Sequence, residues 1–367
     1  MTNILILGGT GRTGRLIAGH LLDQTDVEIT LASRHPQQAS ALADDLNGRF
    51  PGGRVKAVFA DAGNINSLYS AFEGHQLVVV ASPTTAQAGS VICSAIEAKI
   101  DYLDVQLSAG KLALLNSLKD EIEQAGLCFI TEAGFHPGLP SALVRYAASQ
   151  MDSIESAVVA GYLNMGRDLP YTDAVDELIE VFKEYQAQVF KDGKWTSAGS
   201  FERRKIDFGS DIGLKTCYSM FFEEMRHLPE MYPSLKETGF YMSEIHWVVD
   251  WVIMMITWAG IRLFPKSVRP LGKFLWWGMR TFHKPPYRVE LQVQGHGIKN
   301  GQPIDVQTIV AHPDGYELTA IPVAGTLMQY LDGSARRPGL WMMGHLAEPA
   351  RLLQDMQKMG VRVTPAV

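Results

Sequence analysis

Asn3-Ile-Leu-Ile-Leu7 runs directly into Gly8-Gly-Thr-Gly-Arg-Thr-Gly14, and this junction decides the fold of the first part of the chain. The five residues before the glycines form a short apolar run that is typical of a buried strand. The segment after them, Thr13–Leu22, repeats its apolar residues at helical spacing. The sequence therefore predicts a strand, a glycine-rich turn and a helix in immediate succession.

Three of these glycines, Gly9, Gly11 and Gly14, follow the pattern G-x-G-x-x-G. Between a strand and a helix, this pattern indicates a dinucleotide-binding turn. Gly9 permits the tight turn, Gly11 lets the backbone approach a pyrophosphate, and Gly14 lets the helix pack closely on the strand. The helix N-terminus then offers N–H groups and a positive dipole end to the phosphates. We expect the intervening residues to contact the cofactor as well: Thr10, Arg12 and Thr13.

Strand and helix patterns alternate from this turn to about residue 135. Six short segments are predicted as strands, separated by helical patterns: Asn3–Leu7, Glu28–Ser33, Val55–Ala60, Leu77–Ala81, Tyr102–Val105 and Cys128–Thr131. This alternation predicts an α/β fold with a doubly wound parallel sheet of the Rossmann type. A chain of 367 residues also has room for a second domain.

The pattern changes after this alternation and predicts an α+β domain with an antiparallel sheet. Thr172–Phe190 is predicted as one long amphipathic helix. Apolar residues alternate over Arg288–Gln294, Asn300-Gly301 is a turn signal, and Ile304–Ala311 returns as the next strand. A further strand is predicted at Tyr316–Ile321.

The end of the second predicted strand indicates which dinucleotide binds. An NAD-binding domain usually places Asp or Glu there to bind the ribose 2′-hydroxyl, but this chain has Ser33-Arg34-His35. The planar guanidinium of Arg34 can hold a 2′-phosphate, and Ser33 can add a hydroxyl. A carboxylate would repel that phosphate, and none is present in this stretch. We therefore predict NADP as the cofactor, with His35 completing the ribose side.

Two further strand ends are predicted to contact the cofactor, because ligands of this fold bind at the carboxyl ends of strands. Asp61 and Ala62 follow the third strand, where the adenine is expected. Ser82, Pro83 and Thr84 follow the fourth strand, on the expected path to the nicotinamide.

The chain resembles the saccharopine dehydrogenase-like family, most clearly over residues 1–145. Five stretches in order carry the resemblance: Gly8–Arg15, Ala32–Arg34, Ala60–Ala62, Tyr102–Val105 and Glu132–Pro140. The resemblance implies a nicotinamide-binding domain of residues 1–135, to which a C-terminal segment of about 322–367 returns. It also implies an inserted substrate and dimerisation domain of residues 136–321.

Members of this family typically make or break a C–N bond through an imine, with hydride transfer to or from NADP(H). Others in the wider family are enoyl reductases, and the fold alone does not fix the reaction. We therefore keep two substrate classes: a small imine or amino compound, and a hydrophobic, lipid-like carbonyl or enoyl compound. The alternative to an enzyme is a non-catalytic NADPH sensor or a membrane-associated scaffold.

Three residues are candidates for donating the proton that accompanies hydride transfer. Asp104 ends the fifth strand, and Tyr102 lies two residues earlier on the same face. His136 follows the sixth strand within Gly-Phe-His-Pro-Gly, and an ordinary imidazole titrates near neutral pH. Carboxynorspermidine- and saccharopine-type members of the resembled family carry an acidic residue where this chain has His136. This departure leaves the substrate class open.

Composition narrows the partners and the compartment. The net charge of −6 gives no general attraction to nucleic acid. The three cysteines (Cys93, Cys128 and Cys217) show no metal-ligand spacing, so we expect reduced thiols and no metal site. The N-terminus lacks the basic and apolar regions of a signal peptide, which indicates a cytoplasmic protein.

Residues 247–284 form a basic and aromatic segment. Five of the seven tryptophans lie between Trp247 and Trp277, and residues 251–289 contain seven Lys or Arg and no Asp or Glu. The apolar run Trp251–Ile261 is too short for a membrane span, which needs about 20 residues. The segment suits contact with an anionic membrane surface. A buried helix and a homodimer interface are the alternatives, because Trp and Arg are also enriched at protein interfaces.

Overall fold

The computed structural model describes residues 2–166, 170–181, 187–199 and 202–366. The chain divides into two compact units. The first unit comprises Met1–Ala142 and Tyr316–Gly360, and the second comprises Leu143–Gly315 and Val361–Val367.

Strands and helices alternate through the N-terminal part of the first unit. The strands are β1 (Asn3–Leu7), β2 (Glu28–Ser33), β3 (Val55–Phe59), β4 (Leu77–Val80), β5 (Asp101–Asp104) and β6 (Cys128–Thr131). The helices are α1 (Arg12–Gln24), α2 (Pro36–Arg49), α3 (Ile65–Phe72), α4 (Ala88–Glu97), α5 (Ala109–Ser117) and α6 (Lys119–Gln124). A 3-10 turn at Thr85–Gln87 precedes α4, and α7 (Leu139–Ser149) follows β6.

The second unit contains long strands and a group of helices. Its strands are β7 (Ser153–Asn164), β8 (Gln188–Lys191), β9 (Lys194–Ser197), β10 (Arg203–Asp207), β11 (Leu214–Met220), β12 (Glu237–Ser243), β13 (Arg288–Lys299) and β14 (Gln302–His312). Its helices are α8 (Asp173–Val181), α9 (Leu228–Met231), α10 (Met254–Leu263) and α11 (Val268–Phe282). A 3-10 turn at Glu223–Met225 precedes α9, and a π-helical turn at Val249–Ile253 leads into α10.

The C-terminal part of the chain contributes to both units. Its elements are α12 (Gly315–Leu331), β15 (Gly339–Met342), α13 (Met343–Leu346), α14 (Pro349–Lys358) and β16 (Arg362–Ala366). Strand β15 pairs in parallel with β6 of the first unit. Strand β16 pairs antiparallel with β14 of the second unit, whereas we expected the whole C-terminal segment in the first domain.

The first sheet is parallel, with strand order β3-β2-β1-β4-β5-β6-β15. The order reverses direction at β1, as in a doubly wound Rossmann fold. The predicted α/β fold class is therefore confirmed. All four residues of β4 (Leu77–Val80) are buried, as expected for a strand covered on both faces.

The second sheet is mixed, with strand order β10-β11-β12-β7-β13-β14-β16, and β8 and β9 branch from β12. The predicted hairpin joins β13 to β14 through Asn300-Gly301, both with positive φ (51° and 73°). Positive φ at both central residues is the requirement of a type I′ turn. The predicted antiparallel pairing is present, although β7 and β12 run parallel.

Two predicted elements of this region differ from the structure. The helix predicted over Thr172–Phe190 is wrong at its end, because α8 ends at Val181 and β8 begins at Gln188. Residues 182–186 of that prediction lie outside the described residues. The predicted strand Tyr316–Ile321 is also wrong, because these residues begin α12. A short apolar run fits a buried helix as well as a strand, so its period does not decide between them.

A buried carboxylate ties the C-terminal segment to the first unit. Asp101, at the amino end of β5, accepts hydrogen bonds from the Tyr330 hydroxyl at 2.5 Å and from Arg336 Nε at 2.9 Å. It also accepts one from the backbone N–H of Cys128 at 2.8 Å. These bonds hold α12 and the segment before β15 at the amino edge of the sheet. The predicted cofactor residues follow the carboxyl ends of the strands, at the opposite edge.

Candidate functional site

The turn between β1 and α1 leaves no room for side chains at its glycines. The N–H of Gly11 donates to the carbonyl oxygen of Gly8 at 2.9 Å. A Cβ atom on Gly14 would lie 2.4 Å from that same oxygen, and one on Gly9 would lie 2.8 Å from a methyl carbon of Leu31. Only glycine fits at these positions, so the turn has the close packing that a dinucleotide-binding fingerprint requires.

The amino end of α1 is suited to an anion. Gly11 precedes the helix with an extended backbone and provides no side-chain cap. A helix that starts in this way presents backbone N–H groups and the positive end of its dipole. Thr13 is half-buried in the first turn, and the Arg12 guanidinium lies 4.4 Å from the centroid of the Tyr316 ring.

The end of β2 lies against the glycine turn. The hydroxyl oxygens of Thr10 and Ser33 are 3.2 Å apart, and Ser33 Oγ accepts a hydrogen bond from the His35 N–H at 3.1 Å. Arg34 and His35 are exposed. Arg34 makes no salt bridge with any residue in the described part of the chain. The structure therefore brings a buried hydroxyl and an uncommitted guanidinium together beside the turn.

The loop after β4 also adjoins the glycine turn. A Cβ atom on Gly8, which has a φ of +86°, would lie 2.6 Å from the Cβ of Ser82. The hydroxyl oxygens of Ser82 and Thr84 are 3.0 Å apart, and Pro83 between them is exposed. This loop lies where strand order reverses between β1 and β4, the position at which this fold binds its ligands.

The loop after β3 places its two predicted residues in a local turn. The Asp61 carboxylate accepts a hydrogen bond from the Gly63 N–H at 3.0 Å, and the Asp61 N–H donates to Ser67 Oγ. Ala62 is buried. Asp61 thus shapes the turn before α3, at the same edge of the sheet as the glycine turn.

A buried ion pair lies at the carboxyl end of β5. Lys111 Nζ donates to Asp104 Oδ1 at 2.5 Å, to the Gln106 carbonyl oxygen at 2.6 Å and to Thr131 Oγ1 at 2.9 Å. Thr131 Oγ1 donates in turn to Asp104 Oδ2 at 2.8 Å. The side chains of Asp104 and Lys111 are both 0% exposed. All three ammonium protons are used, so the pair is a fixed part of the structure.

Gln106 joins this ion pair to the loop after β4. Its Nε2 donates to the carbonyl oxygen of Ser82 at 2.7 Å and to Thr84 Oγ1 at 3.1 Å. Because the Ser82 carbonyl oxygen can only accept a hydrogen bond, the side-chain Nε2 of Gln106 must face it. The side-chain Oε1 of Gln106 therefore points in another direction. That buried oxygen has no hydrogen-bond partner among the described residues. An unsatisfied buried acceptor at this edge fits a donor from a bound cofactor or substrate.

The other two predicted catalytic residues have different environments. Tyr102 is 1% exposed, and its ring stacks on Phe129 in the core of the first unit. Burial and the nearby Asp104 carboxylate raise the pKa of Tyr102 well above its ordinary value. His136 is half-buried, and desolvation lowers its pKa to about 4. The imidazole of His136 is therefore neutral at physiological pH.

Gln106, Lys111 and Thr131 were not predicted as site residues from the sequence. A signal for Lys111 was present, because Lys111 and Leu115 are spaced to share the buried face of α5. A lysine on a buried helix face needs an anionic partner, and Asp104 is the preceding acid in the sequence. Gln106 and Thr131 gave no comparable signal, because Gln106 lies in the loop after β5 and Thr131 reaches Asp104 only through the pairing of β6 with β5.

Comparison with known proteins matches a family model to the N-terminal part of the first unit. Residues 4–130 match the family model described as the saccharopine dehydrogenase NADP binding domain. Carboxynorspermidine synthase of Vibrio cholerae is 25% identical over 256 residues, which cover 64% of this chain and 61% of that protein. Saccharopine dehydrogenase [NADP(+), L-glutamate-forming] of Saccharomyces cerevisiae is 26% identical over 248 residues, which cover 62% and 52%. The alignments thus span between about half and three fifths of these relatives.

Solved structures support the fold. Apo saccharopine dehydrogenase (L-Glu forming) of Saccharomyces cerevisiae superposes with a TM-score of 0.70 at 15% identity, covering 100% of both chains. Residues 4–130 therefore fit the NADP-binding domain of the saccharopine dehydrogenase-like family. The resemblance stated from sequence is therefore confirmed, and so is the prediction of NADP as the nucleotide of its first domain. The glycine turn, Arg34 and the orphaned oxygen of Gln106 fit that nucleotide.

Two glycines of α1 provide a matched test of the turn. Gly14→Ala places a Cβ 2.4 Å from a backbone oxygen, so we expect the turn to shift and the Kd for NADPH to rise at least about tenfold. Gly19→Ala places a Cβ with no atom within 4 Å. It should leave the Kd unchanged and raise the free energy of unfolding by up to about 1 kcal/mol. Fluorescence titration with NADPH measures both, and an unchanged Kd in Gly14→Ala would contradict the account of the turn.

The low pKa of His136 predicts a pH dependence of stability. The folded state holds the neutral imidazole down to about pH 4, whereas an unfolded imidazole protonates near 6.5. The stability linked to His136 is therefore complete above pH 6.5 and is lost as the pH falls towards 4, by at most about 3 kcal/mol. His136→Gln should flatten this part of the profile in urea unfolding across that range. His35→Gln, at an exposed position, should keep the wild-type slope, and equal slopes in all three proteins would refute the prediction.

Proposed function

We propose that this chain is an NADP(H)-dependent oxidoreductase that reduces an imine or oxidises the corresponding amine. The observation that carries the proposal is an exposed Arg34, without a salt bridge in the described part of the chain, beside a turn that only glycines can form. The relatives named as a carboxynorspermidine synthase and a saccharopine dehydrogenase favour an amine or imine substrate.

The chain's own residues would hold the cofactor at three places. Backbone N–H groups at the start of α1 face the pyrophosphate. Arg34 and Ser33 bind the 2′-phosphate through charge-assisted and neutral hydrogen bonds. Gln106, fixed by the Ser82 carbonyl and Thr84, offers its unsatisfied oxygen to the nicotinamide half.

The buried ion pair acts by positioning. Lys111 holds Asp104, the Gln106 carbonyl and Thr131 in one hydrogen-bonded group, so the ends of β5 and β6 keep a fixed spacing. Asp104 has no solvent-accessible side-chain surface, and Tyr102 lies in the core. We therefore assign neither of them to direct proton donation, although both are candidates from the sequence.

His136 is the residue of the three that retains accessible surface. Reduction of an imine requires a hydride at carbon and a proton at nitrogen. When bound, NADPH supplies the hydride. The neutral His136 imidazole can accept a hydrogen bond from a substrate that enters as the protonated iminium, which already carries the proton at nitrogen and needs only the hydride at carbon.

Cofactor preference tests the first half of this proposal. Arg34→Ala should raise the Kd for NADPH about 10- to 100-fold, because it removes a charge-assisted bond to the 2′-phosphate, and it should spare NADH. Arg337→Ala is the matched control, because Arg337 is exposed just before β15, at the amino edge of the same sheet. Equal affinity of the wild type for NADPH and NADH would overturn the role of Arg34.

Turnover tests the second half. NADPH oxidation should require a carbonyl compound and a primary amine together, because the imine forms only from both. With NADPH deuterated at the transferred position, mass spectrometry should find the label on the carbon of the new C–N bond. Oxidation by a hydrophobic carbonyl or enoyl compound without amine would replace the imine with that substrate class. Saturable NADPH binding without oxidation by either class would favour a non-catalytic NADPH sensor.

A further inference from the structure

An apolar surface of the second unit faces solvent along α10 and its flanking turns. We call it the aromatic face, and its members are Trp247, Trp251, Val252, Met255, Ile256, Trp258, Leu263 and Phe264. Leu263 is 73% exposed, and Trp247 and Phe264 are each 66% exposed. Scattered apolar residues are normal on a protein surface, but eight exposed apolar residues within positions 247–264 indicate an interaction site.

The opposite side of the same helix packs against its own unit, so the residues of the aromatic face point outward. Ile253, Thr257 and Ile261 recur every fourth residue and are buried. Ile253 and Ile261 pack in one cluster with Leu275 and Met279 of α11. The inner face of α10 is thus already covered by its own unit, and its outer face is apolar as well. A helix that is apolar on both sides needs a second apolar environment.

The charge beside this face indicates what that environment is. Exposed cations begin at the end of the aromatic face and continue along the chain after it: Arg262, Lys266, Arg269, Lys273, Arg280 and Lys284. Lys266 and Lys273 form no salt bridge within the residues that the structure describes. The Arg262 guanidinium lies 4.0 Å from the centroid of the Trp258 ring. Residues 251–289 contain no acidic residue, although the whole chain has a net charge of −6.

The geometry fits a helix lying flat on a membrane. Val249–Leu263 is 15 residues long and spans about 22 Å, less than the roughly 30 Å of a bilayer core. Across the described ranges, no helix combines the length and hydropathy needed to cross a bilayer. Trp at the level of the headgroups, with Lys and Arg beside it, is typical of interfacial helices.

We propose that the aromatic face and the cations after it form a docking surface for an anionic phospholipid bilayer. The apolar side chains enter the boundary between headgroups and acyl chains, and Lys266 and Lys273 contact lipid phosphates. A second copy of the chain fits this surface less well. A two-fold dimer would bring the same patch from both copies together, and so place their basic residues in one interface without acids of the same segment.

Vesicle flotation with the full chain tests this proposal. Binding to vesicles of equal parts phosphatidylglycerol and phosphatidylcholine should exceed binding to phosphatidylcholine alone, and added salt should weaken it. Tryptophan emission should shift to shorter wavelength on binding, because exposed indoles enter the interface. Lys266→Glu combined with Lys273→Glu should weaken binding to the anionic vesicles by more than about tenfold. Lys194→Glu, at an exposed position outside the segment, is the control.

The apolar contribution is tested separately. Val252→Ser combined with Ile256→Ser removes two exposed apolar side chains of the aromatic face, and we expect vesicle binding to fall by more than about tenfold. Leu214→Ser changes an exposed residue of β11 and should bind as the wild type does. Wild-type protein that fails to float would overturn the proposal. So would a wild-type dimer that the Val252 and Ile256 substitutions dissociate without any vesicle binding, which would assign the face to a second copy.

Discussion

The close approach of Gly14 to the carbonyl oxygen of Gly8 is the constraint on which the first unit depends. It sets α1 directly on the end of β1, so that the amino end of the helix opens at the carboxyl edge of the sheet. Two neighbouring strand ends are then fixed against the same turn. Thr10 meets Ser33 at the end of β2, and Ser82 after β4 packs on Gly8 where a side chain would otherwise lie. A nucleotide-binding edge follows from one backbone contact, because no side chain intervenes.

Strand β5 shows how the two edges of this sheet are specialised. It is four residues long and carries a buried carboxylate at each end. Asp101 secures the returning C-terminal segment through Tyr330 and Arg336, whereas Asp104 pairs with Lys111 on the nucleotide side. A buried ion pair is a poor source of net stability, because desolvation offsets most of its attraction. Its complete hydrogen bonding instead fixes the positions of the strand ends, and a binding site needs that spacing.

The sequence predicts those features that depend on local patterns. The glycine turn, the six N-terminal strands and the β13–β14 hairpin all have periodicity or turn residues that specify them within a few residues. Prediction from sequence fails where contacts with distant parts of the chain determine an element. Strand β15 is four residues long and pairs with β6 across more than 200 positions of sequence, so no local period marks it. Tyr316–Ile321 is too short for its period to separate a strand from a helix, and in the structure it forms the first turns of α12, with Leu318, Ala320 and Ile321 buried. Among the site residues, Lys111 is predictable only if one notices that a charged side chain lies on the buried face of α5.

The distribution of charge in the second unit explains how a chain with a net charge of −6 could approach an anionic surface. Subtracting the seven basic residues of 251–289 leaves a charge of −13 on the remaining residues. An anionic surface therefore repels most of the molecule. Screening limits these interactions to about 8 Å at physiological ionic strength. At that range only the nearest charges act. The basic segment is therefore attracted while the rest of the surface is repelled, and only an orientation with the aromatic face towards the lipid is favourable. The same asymmetry opposes docking through any acidic surface of the chain.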